Sequence, residues 1–88
     1  MSTQSHSADL CFVYSTTEDA QRVARSIRLE VDELDDDRST VAVERDDTEL
    51  TVAVTAGDLV ALRAAINSWC RYVSVAEKVA GCASTRVA

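Results

Sequence analysis

The amino-acid sequence predicts an α+β fold. Two helices lie on one face of a three-stranded antiparallel sheet, a two-layer arrangement in the order β-α-β-β-α. Three observations predict it. The run Ala8–Tyr14 (ADLCFVY) is rich in aromatic and β-branched residues, as strands are. Two further runs alternate apolar with small or polar residues on either side of the turn Asp46-Asp47-Thr48. Two longer segments repeat apolar residues every three or four positions, the helical period.

In the first strand Leu10, Phe12 and Tyr14 share one face, and Cys11 and Val13 share the other. Both faces are apolar, so the strand is expected to be covered at least in part on both sides. Ser15-Thr16-Thr17-Glu18-Asp19 then supplies hydroxyl caps followed by acids, which suit the positive end of a helix. Ala20, Val23, Ala24, Ile27 and Val31 form its apolar stripe, with Arg22, Arg25 and Arg28 off it. The acidic run Asp32-Glu33-Leu34-Asp35-Asp36-Asp37 ends that helix; a cation site on it is disfavoured, since contiguous loop carboxylates are usually just solvated.

The hairpin follows. Val41, Val43 and Arg45 alternate with Thr40, Ala42 and Glu44; Leu50, Val52, Val54 and Ala56 alternate with Thr51, Ala53 and Thr55. One face of this sheet is aliphatic and the other small or polar, so cover is expected on one side. Gly57-Asp58 opens the last helix with Asp58 as its cap. No Pro or Gly follows until Gly81, so it can run about 23 residues, or roughly 35 Å. One domain from Ala8 to Ala80 results, with residues 1–7 and 81–88 expected to be flexible tails.

Eighty-eight residues leave room for one core, which buries about 60 % of the unfolded surface. Fifteen Asp and Glu oppose nine Lys and Arg, a formal charge of −6. That charge argues against a free-standing nucleic-acid binder. The 47 % hydrophobic content argues equally against a disordered acidic chain. Lys78 is the single lysine among those cations, so the balance fits either a high-salt, halophilic cytoplasm or an ordinary acidic cytosolic domain. Cys11, Cys70 and Cys82 are too few and too scattered for a disulfide framework or zinc site. No run of 18 or more apolar residues is present and the start is polar, so a cytoplasmic protein is expected.

Catalytic chemistry leaves residue types behind, and few are found. The lone His6 falls in the expected tail, without a Ser/His/Asp or Cys/His partner set. Gly57 and Gly81 are the only glycines, so there is neither a phosphate-cradling loop nor a GXXG loop of the KH type. The residues suggest an interaction module with no cofactor and no metal.

The long helix carries three stripes. Leu59, Leu62, Ile66, Trp69, Val73, Ala76 and Ala80 are expected to pack on the sheet. A second stripe, Ala61, Ala65, Ser68, Tyr72, Val75 and Val79, lies roughly 115° away and makes the apolar sector wider than a small sheet covers. The first helix fills part of it, or a separate chain does; so wide a patch favours the separate chain. The third stripe is Arg63, Asn67, Arg71, Ser74 and Lys78, either a solvated face or a contact for RNA phosphate or an acidic partner. A three-stranded sheet also leaves two edges, and pairing one edge with a copy of itself gives a symmetric six-stranded dimer.

The run Leu50–Glu77 (LTVAVTAGDLVALRAAINSWCRYVSVAE) resembles the small Pcc-type subunit of the archaeal and eukaryotic KEOPS complex. Asp58-Leu59 and Leu62-Arg63-Ala64-Ala65-Ile66-Asn67-Ser68 are similar to the signature of that family. Tyr14-Ser15-Thr16-Thr17-Glu18 with Ala20, and Arg38-Ser39, extend the resemblance to most of Ala8–Ala80. Cys70 departs from it, standing where a bulkier aliphatic residue is expected.

The resemblance implies the same β-α-β-β-α fold and a homodimer formed through the sheet. It further implies that the helices dock on the Kae-type catalytic subunit, which installs threonylcarbamoyl on the adenosine beside the anticodon of tRNA. The small subunit would be an accessory that dimerises the assembly and helps hold tRNA. Mapped onto the stripes, Ala61, Ala65, Ser68, Tyr72 and Val75 are the expected partner-binding residues. Arg63, Asn67, Arg71 and Lys78 are the expected RNA or partner contacts. The alternative is an autonomous RNA-binding module of KH-like outline, against which the net acidity and missing GXXG loop both count.

Overall fold

In a computed structural model, which describes residues 5–33 and 39–86, the chain forms the expected two layers. Strand β1 (His6–Val13) leads into helix α1 (Thr17–Glu33); β2 (Ser39–Asp46) and β3 (Glu49–Ala56) form the hairpin; helix α2 (Leu59–Ala80) follows. A short strand, β4 (Thr85–Arg86), closes the order. The sheet is antiparallel in the spatial order β2-β3-β1-β4. The acidic triplet Asp35-Asp36-Asp37 lies outside the described residues.

Each helix begins where its caps predict. The Asp19 N–H donates to Thr16 Oγ1 at 3.1 Å, so Thr16 caps α1 from the position three residues ahead. Asp58 Oδ1 accepts from the Ala61 N–H at 2.7 Å and caps α2. At the far end of α2, Gly81 turns left-handed at φ 73°. Its N–H donates to the Lys78 carbonyl and that of Cys82 to the Glu77 carbonyl, the paired bonds of a Schellman stop.

The core lies between sheet and helices. Leu10, Phe12, Leu50, Val52 and Val54 of the sheet meet Ala20, Val23, Ala24 and Ile27 of α1 and Leu62, Trp69, Val73 and Ala76 of α2. The opposite sheet face carries Ser7, Asp9, Cys11, Thr51, Ala53, Thr55, Ala42 and Glu44, as the register requires. No described element covers that face. Cys11 and Val13 are half-buried there among sheet neighbours, with Cys11 Sγ 3.9 Å from Thr51 Oγ1. Cover of β1 on both sides, expected from its apolar run, is therefore supplied by helices on one side only.

Two expectations about the ends differ from the structure. His6 and Ser7 are not tail; they extend β1 and pair with Ala56 and Thr55. Beyond Gly81 the chain turns back and adds β4 to β1, with Thr85 facing Val13 and Arg86 facing Phe12. The sheet thus has a fourth strand beyond the expected three. The physical reason is a polar anchor: Glu77 accepts hydrogen bonds from both the Tyr14 hydroxyl (2.8 Å) and the Ser84 hydroxyl. That anchor joins residues far apart in sequence, so no local pattern announces it.

Candidate partner interface

Helix α2 presents its surface in three sectors, and they differ from the stripes in detail. Leu62, Trp69, Val73 and Ala76 of the first stripe are buried, with Ile66 and Ala80 half-buried. Leu59 is not part of this packing. As the first helical residue, at the rim of the buried sector, it is 59 % exposed.

The second stripe is split by the fold. Ala61 is buried in the core cluster at 6 % exposure, so it is closed to any partner. The expectation that it meets one is corrected here, because the neighbouring elements reach further round the helix at its start than periodicity reveals. Ala65 and Tyr72 are half-buried, and the Tyr72 ring meets the Trp69 ring edge-on at 5.3 Å between centroids. Ser68 and Val75 face solvent, as does Val79.

What remains outside is an apolar ridge. Val60 (71 % exposed), Ala64, Ser68, Val75 (54 %) and Val79 (82 %) follow one another along the helix, with Tyr72 at their flank. Val60 and Ala64 were not among the expected contacts. On the helical wheel Ala64 falls between the apolar and cationic stripes, and Val60 stands at the same angle as Lys78, five turns ahead of it, so neither carried a signal of its own. Four large aliphatic side chains of α2, Leu59 among them, thus stand in solvent while the core behind them is closed.

The cationic stripe is intact. Arg63, Asn67, Arg71, Ser74 and Lys78 are all exposed. Among the described residues the only ion pair joins Arg22 and Asp19, at 3.6 Å, so no carboxylate engages Arg63, Arg71 or Lys78. The fold builds a second cationic surface that the linear pattern does not show. Arg25 and Arg28 of α1 and Arg45 of β2 line one shallow concavity of about 450 Å³ with Gln21 and Leu29. Arg45 is steadied there by donating to the Asp47 carbonyl at 2.9 Å.

The titratable groups near the end of α2 are structural. Burial, and then the Glu77 carboxylate, push the Tyr14 hydroxyl far above the ordinary tyrosine range. Burial first, and the Asp19 and Glu77 carboxylates after it, push the Cys82 thiol up. Both groups stay protonated at neutral pH, so neither is an activated nucleophile. Among the described residues no group of three His, Cys, Asp or Glu is placed to hold a metal, and no helix is long and apolar enough to cross a membrane.

The family described as "Transcription factor Pcc1" matches residues 7–81, from the start of β1 to the cap of α2. The chain belongs to the Pcc1 family. This is a KEOPS-associated accessory family linked to tRNA processing, not a known catalytic one, and its members belong to a protein complex. None of the curated proteins compared with the chain matches it.

Among solved structures the chain is similar to the C-terminal segment of the alpha subunit of aIF2 from Pyrococcus abyssi, with TM-score 0.77 and 13 % identity. The likeness covers 99 % of this chain and 52 % of that one. The intact alpha subunit of aIF2 from the same organism gives the same TM-score and identity over 100 % of this chain and 35 % of that one. The chain therefore spans about half of the first and a third of the second. At this identity the likeness establishes the fold alone.

Proposed function

We propose that this Pcc1-family chain is a non-catalytic dimerisation subunit of KEOPS. It docks through α2 on the Kae-type threonylcarbamoyltransferase and helps hold the tRNA substrate. The observation that carries this reading is the solvent-facing ridge Val60-Ala64-Ser68-Val75-Val79 on a helix whose other side has already closed the core. Exposed aliphatic residues in line along one helix are a cost in a free monomer and a gain against a partner helix. Ala64 and Ser68, small residues midway along it, let a second backbone approach closely.

The RNA part of the reading is supported by charge placement. A formal charge of −6 opposes autonomous binding to any nucleic acid, DNA included. Five of the arginines are nevertheless gathered on two surfaces: Arg63 and Arg71 with Lys78 on α2, and Arg25 and Arg28 with Arg45 beside α1. Guanidinium groups bind phosphate oxygens in bidentate fashion, so such clusters add RNA contacts once other subunits supply the main affinity.

The deciding experiment is reconstitution of tRNA threonylcarbamoylation with this chain added or omitted, with light scattering on the same samples. Addition is expected to raise the rate and the mass of the assembly together. An unchanged rate with every other subunit present refutes the reading.

A further inference from the structure

We infer that the concavity between α1 and β2, lined by Arg25, Arg28 and Arg45, binds the oligophosphate chain of a small molecule. The site belongs to the isolated chain and depends on neither the dimer nor the docking proposed above. The two cationic surfaces of the molecule differ in shape. On α2, Arg63, Arg71 and Lys78 stand about two turns apart, so a rise of about 1.5 Å per residue spreads three charges over roughly 22 Å. A line of that kind meets successive phosphates of a polymer. Arg25 and Arg28 are instead one turn apart on a single face of α1, with Gln21 one turn before them. Arg45 reaches the same concavity from the neighbouring strand, so three charges from two elements converge on about 450 Å³.

These guanidinium groups are placed to receive an anion. Among the described residues the only ion pair joins Arg22 and Asp19, and none of Arg25, Arg28 and Arg45 engages a carboxylate. Arg45 is set by the hairpin turn: its Nη1 donates to the Asp47 carbonyl at 2.9 Å, and the Thr17 hydroxyl holds the Asp47 side chain at 2.7 Å. That bond uses one N–H of the fork and leaves the others for a ligand.

Charge limits the size of the ligand. Arg28 and Arg45 also border the next concavity, where the other charged groups are Glu44, Asp46 and Glu49. An anion that extends past Arg45 meets those carboxylates. Screening acts over about 8 Å at physiological ionic strength, so a compact anion feels the local cations and little of the net −6. A long polyanion crosses both regions. The ligand must therefore carry dense negative charge within a short length. Linked phosphoryl groups have that property, and their oxygens are bound in pairs by guanidinium forks. A single carboxylate brings one charge to three cations. The phosphate chain is either bare or carried by a nucleoside. Leu29, 70 % exposed, and Gln21 line the same concavity and supply an apolar surface and an amide that only a nucleoside uses.

The test is calorimetric titration of the full chain with tripolyphosphate, ATP, AMP and a short single-stranded RNA at one fixed ionic strength. Saturable binding of tripolyphosphate is expected, with AMP at least tenfold weaker. Arg25→Gln and Arg45→Gln are each expected to weaken tripolyphosphate binding about tenfold with circular dichroism unchanged. Arg71→Gln on α2 is expected to leave it as it was. Arg25→Gln alters an exposed side chain away from the turn, so it decides the matter even where Arg45→Gln disturbs the hairpin. ATP binding tighter than tripolyphosphate assigns a nucleotide, and equal binding assigns the bare chain; both support the site. No saturable binding at millimolar tripolyphosphate, or an equal loss with Arg71→Gln, overturns it. RNA bound more tightly than tripolyphosphate, and weakened by Arg25→Gln, makes the concavity an RNA contact; that overturns this inference and leaves the KEOPS reading standing.

Discussion

Tyr14 shows how one side chain ties the two ends of the chain together. Its ring is buried under the helices, and its hydroxyl meets Glu77 at the end of α2, where Ser84 arrives from the returning chain. Tyr14→Phe keeps the ring and removes one donor, so denaturant unfolding is expected to show a loss of about 1–2 kcal/mol. The raised hydroxyl pKa carries a sign. The unfolded tyrosine releases its proton near 10 and the folded one holds it, so above that pH the folded state binds more protons and stability falls. The contribution is complete below about pH 10 and declines as pH rises further; Tyr14→Phe is expected to flatten that decline in unfolding curves taken from pH 9 to 11.

The two glycines give opposite expectations. A Cβ at either position meets nothing within 4 Å, so only backbone conformation matters. Gly81 at φ 73° occupies the left-handed region, and Gly81→Ala is expected to cost about 1 kcal/mol. Gly57 has no positive φ, and Gly57→Ala is expected to be neutral or to stabilise by up to about 1 kcal/mol. Thermal melts of the two variants should shift in opposite directions or, for Gly57, not at all.

At the scale of elements, the helices divide by how much of their surface the fold consumes. The apolar stripe of α1 is narrow and goes wholly inward: Ala20, Val23, Ala24 and Ile27 are buried and Val31 half-buried. Helix α2 has more apolar surface than the sheet can take, and the remainder is the ridge. Val75→Asp tests it cleanly, because Val75 faces solvent; Tyr72→Asp would also strip the edge-on contact with Trp69. We expect Val75→Asp to leave the melting temperature within about 2 °C while abolishing co-purification with the catalytic subunit. Retained co-purification would place the docking surface elsewhere.

These elements also show what was legible. The caps Thr16 and Asp58, the hairpin turn and the apolar stripe of α1 are local patterns, and each stands where the sequence predicts it. The positive φ of Asp47 (57°) likewise falls on a residue type that tolerates it, steadied by the Thr17 hydroxyl donating to Asp47 Oδ1 at 2.7 Å. Ala61 and Leu59 stand elsewhere than expected, and Val60 went unassigned, for one reason. A helical wheel gives the angle of a side chain but not how far the surrounding elements extend around it.

At the scale of the whole molecule, charge and association act together. The net charge of −6 is spread over a surface that keeps five of its eight arginines in two groups, so the charge of the isolated chain opposes polyanions while parts of its surface suit them. Within the assembled complex, Arg71→Glu is expected to weaken tRNA affinity and to reduce the slope of log affinity against log salt by about one. Filter binding across a salt series measures both. An unchanged slope would assign Arg71 to protein contact or to solvent.

The sequence by itself determined the order of the first five elements, their caps, the inward faces of strands and α1, and an acidic balance that opposes autonomous nucleic-acid binding. Each depends on spacing or composition that a linear chain already contains. Only the tertiary structure decided that Ala61 is core, that Val60 and Ala64 join the ridge, that Arg45 stands beside Arg25 and Arg28, and that β4 lies on β1. Each of these depends on which distant segment arrives at a given surface. The Glu77 anchor is the clearest instance, because its two hydroxyl donors, Tyr14 and Ser84, lie on either side of it in sequence and meet only when the fold is complete.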